Sequence, residues 1–428
     1  MMIKQRLLPL SLAVTLFAST SLWASPQTTV HQLATQEQEP LLNTLKALVH
    51  YESGSKDPEG LQAIAQYIAK QLSELGATVT IIQPTEKDTV RLADTPEKLG
   101  PMVQAELHGK GTRNIMLIAH MDTVYLPGML KDQPFKVEGN HAYGLGIADN
   151  KQGVASIIHT VALLQKLKFE DYGKLTILIN GDEEISSPAS RNLLTRLAKD
   201  QDAVFSFEGG MVGDASLLLA TSGIGAAYLK VQGKASHAGA KPEDGINALY
   251  ELAHQILQMK DLSQPEQGVK LNWTVAQAGT NRNVIPAQAS AQGDARALRT
   301  EDFKALQSTM QNKVQQRLLT DTKVDLTFEV RRPPFEATDA AIRMANHAQS
   351  IYKNELNRPL IIQEKAIGGG TDAAFAGLET RGVVIEGFGI NGFGAHSNSA
   401  EYVLIDSITP SLYLNVRMIM DIAHNKVP

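Results

Sequence analysis

Short, almost wholly apolar segments alternate along this chain with longer segments that have the apolar spacing of helices. Residues 114–119 and 175–180 are apolar runs of strand length, whereas residues 40–49, 60–75 and 151–167 place apolar side chains three and four positions apart. Strands that are apolar on both faces and separated by helices are typical of parallel sheets covered by helices. The sequence therefore predicts an α/β protein with a mostly parallel sheet.

The middle of the chain has a different pattern. Segments with the apolar pattern of strands lie at 228–232, 270–275, 287–296 and 324–330. Amphipathic helices lie at 247–259 and 301–318. The resulting order, β-α-β-β-α-β, favours an antiparallel sheet backed by two helices. Because the α/β pattern resumes after residue 340, we expect an inserted α+β domain at 222–332. It would interrupt an α/β domain formed by 25–221 and 333–428.

The N-terminus has the pattern of a secretory signal peptide. Lys4 and Arg6 precede an apolar run at 7–17, and small residues follow it. We place cleavage after Ala24, so the signal peptide is residues 1–24. A single anchor helix is the alternative, but the run is shorter than the ~20 residues that span a bilayer. We therefore expect a periplasmic or secreted protein.

Composition narrows the possible chemistry. The 428 residues contain no Cys, which excludes disulfides, thiolate metal ligands and a cysteine nucleophile. The formal net charge is −5 and the Lys and Arg residues are scattered. We therefore expect no nucleic-acid partner and, after signal cleavage, no membrane partner. Any metal site must use His and carboxylate side chains.

Several polar residues that could bind metal follow predicted strands. His120 directly follows the apolar run 114–119, and Asp122 could hold its ring through the second nitrogen. A satisfied loop histidine is the alternative for His120. Asp149 stands where a helix begins, so an N-cap is the alternative for its carboxylate.

Three further acids and one histidine have similar positions. Glu183 and Glu184 follow the run 175–180, and Glu208 follows another apolar run. A solvated acidic turn is the alternative for the first two, although adjacent acids can also divide into a metal ligand and a general base. His396 lies in a glycine-rich loop that lets the backbone approach closely. Five possible ligands and one spare glutamate match the needs of a two-metal hydrolytic site.

The ordered set of motifs resembles the dinuclear zinc peptidases of the aminoacylase and glutamate carboxypeptidase family. Within that family it is most similar to the glutamate carboxypeptidases that also hydrolyse folates. The motifs, in chain order, are His120-Met121-Asp122, Gly146-Ile147-Ala148-Asp149, Asp182-Glu183-Glu184, Glu208-Gly209-Gly210, Ser236-His237-Ala238-Gly239, Gly368-Gly369-Gly370-Thr371-Asp372 and Ala395-His396-Ser397. The resemblance covers essentially the whole mature chain, and it implies that residues 222–332 are a lid and dimerisation domain.

The resemblance also implies a role for each residue of the α/β domain. Two zinc ions per chain would share Asp149 as a bridging ligand. His120 and Glu208 would complete one site, and Glu184 and His396 the other. Glu183 would be the general base, and Asp122 would orient His120.

In the lid, the resemblance implies that His237 reaches the active site of the partner subunit and stabilises the oxyanion there. Asn283 and Arg296 match positions of the family that bind substrate, and Gly370 lies in a turn that forms a wall of its pocket. Arg332 matches a basic residue near the hinge, and we expect it to bind substrate as well. A guanidinium can pair through two hydrogen bonds with the free carboxylate of a C-terminal residue. For each arginine, a structural ion pair is the alternative.

Two departures from the family pattern matter. Asn150 stands where a second Asp is common, and we expect zinc binding to survive this change. Ser216 lies in a region where glutamate-cleaving relatives can carry a basic residue, which weakens the case for a glutamate side chain. His and carboxylate ligands also accept cobalt or manganese, so zinc is implied by the resemblance.

The sequence predicts an exported zinc metallocarboxypeptidase that releases a C-terminal amino acid, glutamate in particular, from peptides or N-acyl conjugates that include folates. An aminoacylase or dipeptidase on the same scaffold is the alternative. A silent periplasmic binder is disfavoured because a binder has no need of Glu183 as a base.

Overall fold

A computed structural model describes residues 27–209, 215–366, 368–397 and 400–427. The predicted signal peptide, residues 1–24, lies outside this part of the chain. Over the described ranges, no helix combines the length and apolar character needed to cross a bilayer.

The chain forms helices and strands in three consecutive sections. Before residue 222 these are α1 Thr28–Gln36, α2 Gln38–Val49, α3 Pro58–Glu74, β1 Thr78–Ile82, β2 Met102–His108, β3 Asn114–His120, β4 Lys136–Glu138, β5 His141–Tyr143, α4 Gln152–Lys166, β6 Lys174–Asn180, α5 Arg191–Ala198, β7 Ala203–Ser206 and β8 Ser216–Leu218. The middle section contains β9 Gly223–Gln232, α6 Ala248–Met259, β10 Val269–Ala278, β11 Gln288–Ala297, α7 Thr300–Lys313 and β12 Lys323–Arg332. The last section contains α8 Asp339–Leu356, β13 Ile361–Gln363, α9 Ala373–Ala376, β14 Val383–Glu386, β15 Gly392–Phe393, β16 Tyr402–Leu404 and α10 Ile408–Ala423.

The main sheet has the strand order β1-β2-β6-β3-β7-β14-β8-β13 in the described residues. Its central neighbours β6, β3, β7 and β14 are parallel. Successive side chains of β3 point to opposite faces of the sheet and enter different hydrophobic cores. Leu117 packs with α4 and α10 on one face, and Met116 packs with α5 and α9 on the other. The prediction of a mostly parallel sheet with helices on both faces is confirmed.

The middle section forms a separate antiparallel sheet with the order β10-β11-β9-β12. Leu229 of β9, Leu252 of α6 and Met310 of α7 share its core, which is distinct from the cores of the main sheet. The predicted order β-α-β-β-α-β is confirmed. We call this section the lid; its first strand begins at Gly223 and its last ends at Arg332.

Two local features differ from the sequence-based expectation. The polar stretch before residue 40 contains α1, which buries Val30 and Ala34 although most of its residues are polar. The lid helix predicted for 301–318 ends at Lys313. After that point the side chain of Arg317 donates to the carbonyl of Thr322 at 2.6 Å, which stabilises a turn instead of another helical turn.

Candidate metal centre

The possible metal ligands meet at one edge of the main sheet. His120 is the last residue of β3, Glu183 and Glu184 come shortly after β6, and Glu208 lies two residues after β7. Because these three strands are parallel neighbours, their carboxyl ends present side chains to the same crevice. The apolar runs therefore explain why residues far apart in sequence come together.

Asp149 lies at the centre of the cluster and contacts both histidines. One carboxylate oxygen is 3.0 Å from Nε2 of His120, and the other is 3.4 Å from Nε2 of His396. Nε2 of His396 also lies 3.3 Å from Oε2 of Glu184. Asp149, Glu184 and His396 each offer one ligand atom, and these atoms all lie within 4.8 Å of one another. An arrangement of this kind can hold a metal ion.

Asp122 contacts both His120 and the loop that contains Glu183 and Glu184. It is completely buried, and Oδ1 lies 3.3 Å from Nδ1 of His120. The backbone N–H groups of Glu183 and Glu184 both donate to its carboxylate at 3.1 Å, and Ser55 donates its hydroxyl at 2.7 Å. Asp122 therefore orients one predicted ligand and fixes the loop that carries a second predicted ligand and the predicted base.

Glu401 supports the loop that carries Asp149, and the sequence analysis did not identify it. Its buried carboxylate accepts the N–H groups of Gly146 at 2.9 Å, Ala148 at 2.8 Å and Asp149 at 3.1 Å. Tyr125 donates its hydroxyl at 2.6 Å. Burial raises the pKa of Glu401 to about 7 although these donors act to lower it. Glu401 is a single glutamate five residues after His396, and no sequence pattern around it indicates that it holds this loop.

Asn150 accounts for the helix start that had been an alternative role for Asp149. Its Oδ1 accepts the backbone N–H of Gly153 at 3.2 Å and the side-chain amide of Gln152 at 3.0 Å. The amide of Asn150 therefore caps the first turn of α4, which leaves the Asp149 carboxylate to the two histidines.

The pKa values of the cluster are shifted by burial and by neighbouring charges. Burial raises the pKa of Glu183 well above its ordinary value, although the nearby charges of Arg332 and His120 act to lower it. Burial and the neighbouring Glu386 and Glu183 also raise the pKa of Glu208 well above its usual range. Hydrogen bonds to Asp149 and Glu184 raise the pKa of His396 to about 10. A divalent cation that bound this cluster would therefore displace protons from it.

The residues present fit a divalent metal ion. Imidazole nitrogens and carboxylate oxygens are ligands of zinc and of other first-row metals. Glu184 also has a buried Oε1 that makes no hydrogen bond within the described residues. A buried carboxylate oxygen without a donor is costly unless something positive binds it, and a cation here would do so.

Two of the predicted lid residues lie in adjoining loops. The backbone N–H of Ala238 donates to the carbonyl of Asn283 at 2.9 Å, and that of Ile285 donates to the carbonyl of Ser236 at 2.9 Å. His237 is exposed, and its Nδ1 accepts from the N–H groups of the two residues that follow Ala238, at 3.2 and 3.0 Å. A neutral His237 therefore carries its proton on Nε2, which is a hydrogen-bond donor.

The two predicted substrate-binding arginines have different environments. Arg296 pairs with Asp294 of the lid at 2.9 Å and donates to the carbonyl of Gly368 at 3.0 Å, with 29% of its side chain exposed. Arg332 is only 4% exposed and pairs with Glu183 at 2.8 Å and Asp372 at 2.9 Å. The structure thus pairs Arg332 with the predicted base, which corresponds to the structural ion pair given above as the alternative for each arginine, although the partner was not predicted.

Gly370 lies against Arg332. A Cβ at this position would be 2.6 Å from Cδ of Arg332 and 2.8 Å from the Ile224 side chain. The turn can therefore approach the guanidinium only without a side chain at 370.

Acids and imidazoles gathered at a sheet edge beside a buried glutamate are what a metal-dependent hydrolase requires. Residues 116–421 match the profile of "Peptidase family M20/M25/M40", and the chain belongs to this family.

Individual relatives agree with this assignment. Carboxypeptidase G2 of Pseudomonas sp. (strain RS-16) is 41% identical over 415 residues, which cover 97% of this chain and 97% of that protein. Aminopeptidase PepT of Bacillus cereus ATCC 10987 has a TM-score of 0.73 at 21% identity, with 90% of this chain and 99% of that chain covered. The Bacillus subtilis YXEP protein, a dinuclear metal-binding peptidase of the M20 family, has a TM-score of 0.63 at 18% identity, with 90% and 99% covered. The two structures confirm the fold, and the family and the first relative establish a metallo-exopeptidase.

Proposed function

We propose that this metallo-exopeptidase is an exported zinc carboxypeptidase that releases a C-terminal amino acid, glutamate first among them. Its substrates would be peptides or N-acyl amino acids, including folates. The 41% identity with carboxypeptidase G2 over 97% of the chain supports this proposal. The signal-peptide pattern of residues 1–24 supports export.

The observation that carries the catalytic proposal is the position of Glu183. Its backbone N–H is held by Asp122, and its side chain is 9% exposed beside the ligand Glu184. In this proposal two zinc ions would be held by His120, Asp149, Glu184, Glu208 and His396, with Asp149 as the shared ligand. When bound, the ions supply Lewis-acid activation of the scissile carbonyl and of a water molecule.

Glu183 then moves the proton. Its carboxylate accepts a proton from the attacking water and delivers that proton to the nitrogen of the departing amino acid. Closure around the substrate would exclude bulk water from this exchange.

The lid supplies the remaining contacts in this proposal. His237 would donate its Nε2 proton to the oxyanion in the active site of a partner subunit, since its Nδ1 is already occupied by N–H groups of its own loop. Asn283, in the adjoining loop, would hold the substrate carbonyl. Arg296 would bind the C-terminal carboxylate beside the turn that contains Gly370, because its guanidinium already reaches that turn at Gly368.

An aminoacylase or dipeptidase is the second candidate, and Ser216 bears on it because this residue weakens the case for a glutamate side chain in the substrate. Ser216 is buried in β8 and carries no charge that could bind the side-chain carboxylate of glutamate. A dipeptidase would require a free amino group on its substrate, whereas a carboxypeptidase would not.

The test is hydrolysis of a panel of N-acyl amino acids and dipeptides that vary in the C-terminal residue, with methotrexate included. The zinc-loaded enzyme should release glutamate from methotrexate, and a chelator should stop the reaction. Matched substrates with a C-terminal amide should be poor, because Arg296 would lose its anionic partner. Cleavage restricted to dipeptides with a free amino group would support the dipeptidase instead.

The proposed homodimer can be tested by mixing two inactive variants. In a hybrid dimer of Glu183→Gln and His237→Ala chains, one active site combines an intact Glu183 with an intact His237 from the other chain. Activity should therefore return when the two variants are mixed under conditions that exchange subunits. If His237 acted within its own chain, mixing would restore nothing.

A further inference from the structure

Arg332 belongs to the lid by sequence but to the metal centre by contact. It is the last residue of β12, yet its side chain is buried against the α/β domain. Nη2 donates to the backbone carbonyl of Glu183 at 2.8 Å and lies 2.8 Å from Oε1 of the same residue. One guanidinium nitrogen thus holds both the backbone and the carboxylate of the proposed base.

The opposite side of the guanidinium is anchored by Asp372. Nη1 donates to Oδ1 of Asp372 at 2.9 Å. Asp372 is itself fixed, because Asn180 donates to its Oδ2 at 2.8 Å and Ser187 donates to its Oδ1. Asn180 is the last residue of β6, so the anchor is part of the main sheet.

The surroundings leave little access for a substrate carboxylate. Gly370 lies against the Cδ and Nε of Arg332, and the Phe375 ring lies 5.7 Å from its Cζ. Both Nη atoms are engaged by protein groups, and the side chain is 4% exposed. The Nη atoms of Arg296 are also engaged, by Gly368 and Asp294, but 29% of its side chain is exposed at the edge of the same turn.

We infer that Arg332 is a positioning residue that holds the Glu183 carboxylate in its catalytic orientation, with Asp372 as its anchor, and that it does not bind the substrate carboxylate. The inference rests on the proposed function, in which Glu183 is the base. Asp372 restricts the rotation of the Arg332 side chain, and the fixed guanidinium in turn restricts the carboxylate of Glu183. The position of a catalytic group strongly affects the reaction rate.

The test is a comparison of kcat and KM for Arg332→Lys, Arg332→Ala and Asp372→Asn on whichever substrate the wild type cleaves best. Misplacing a catalytic group by about 1 Å costs about 10²-fold in rate. We expect Arg332→Ala to lower kcat by about that factor, Arg332→Lys to recover part of it, and KM to change little. Asp372→Asn should lower kcat in the same way, and the double variant Arg332→Ala/Asp372→Asn should be little worse than Arg332→Ala alone.

Arg331→Ala is the matched control. Arg331 neighbours Arg332 in the same strand but pairs with Asp94 at 2.8 Å, so kcat and KM should stay at wild-type values. Metal content and melting temperature of each variant should be recorded. If Arg332→Ala does not fold, Arg332→Lys and Asp372→Asn decide the question.

A large rise in KM, or in the inhibition constant of the released amino acid, at unchanged kcat would overturn the inference, because Arg332 would then bind the carboxylate. Full activity of both Arg332→Lys and Asp372→Asn would also overturn it. The proposed function fails separately, if Glu183→Gln remains active or if the wild type does not release a C-terminal residue.

Discussion

The metal centre and the lid loops hold their functional groups in opposite ways. Asp122 is completely buried and is bound by a hydroxyl and two backbone N–H groups, and it orients His120 in turn. His237 is exposed, and the hydrogen bonds to its ring come from its own loop. The first region is organised within one chain. In the second region the ring of His237 is oriented by its own loop, and its proposed role as an oxyanion donor depends on where the lid places that loop.

Glu183→Gln should lower kcat more than any of the other substitutions. It tests whether a residue of the buried metal centre can be changed in activity without a change in bound metal. A general base contributes about 10²–10⁴ in rate, so we expect kcat to fall by that amount or more. Bound metal should stay near the wild-type value, because the amide replaces no proposed ligand. Metal analysis and steady-state kinetics check both statements.

Glu184→Gln is the matched control, since it changes the adjacent acid, which lies 3.3 Å from His396. This variant should lose metal as well as activity. If both variants lost metal equally, the division of the two acids into base and ligand would be wrong.

His237→Ala should lower kcat by about 10²–10³, the usual effect of removing one oxyanion donor. Metal content and melting temperature should not change, because the side chain is exposed and outside the cluster. His254→Ala, on lid helix α6, is the control and should leave kcat unchanged. A loss of metal in His237→Ala would break the distinction between the two regions.

Glu401→Gln should weaken metal binding by about 10–100-fold, the usual effect of changing a group that supports a ligand. The carboxylate of Glu401 accepts three backbone N–H groups of the loop that carries Asp149. A glutamine would place its own N–H group against some of these donors, which would disturb the loop. Titration of metal in competition with a chelator measures the change. Glu138→Gln alters an exposed acid of β4 and should bind metal as the wild type does.

Acid should weaken metal binding by about tenfold for each pH unit per proton displaced. The pKa of His396 is about 10 without metal, so its ring is protonated at pH 8 and must lose that proton to bind metal. The sign follows directly: affinity falls as pH falls below 10. Calorimetry in two buffers of different ionisation enthalpy counts the protons, and His237→Ala should release the same number. An unchanged affinity between pH 9 and pH 7 would contradict the expectation.

The sequence predicted that the candidate residues after apolar strands would lie together. His120 and Glu184 meet because the buried runs of β3 and β6 end beside them, and parallel strands bring their ends to one edge of the sheet. Their roles came from the resemblance to the family. The supporting contacts gave no such signal, because the burial of Glu401 and the pairing of Arg332 with Glu183 depend on packing between distant segments.

The fold shows the same division. The lid order β-α-β-β-α-β was predicted because its strands alternate and its helices are amphipathic. Helix α1 was missed because its apolar residues are few, and it is stabilised by burying Val30 and Ala34 against the core.

The end of β12 has a consequence for lid exchange between relatives. Glu329 accepts the backbone N–H of Ala93 at 2.9 Å, Arg331 pairs with Asp94, and Arg332 pairs with Glu183. A chimaera joined at Pro333 would import foreign residues at all three positions and would change the surroundings of the base along with the lid. The border between exchangeable parts therefore lies within this strand, before Glu329, where a graft would leave the surroundings of the base unchanged.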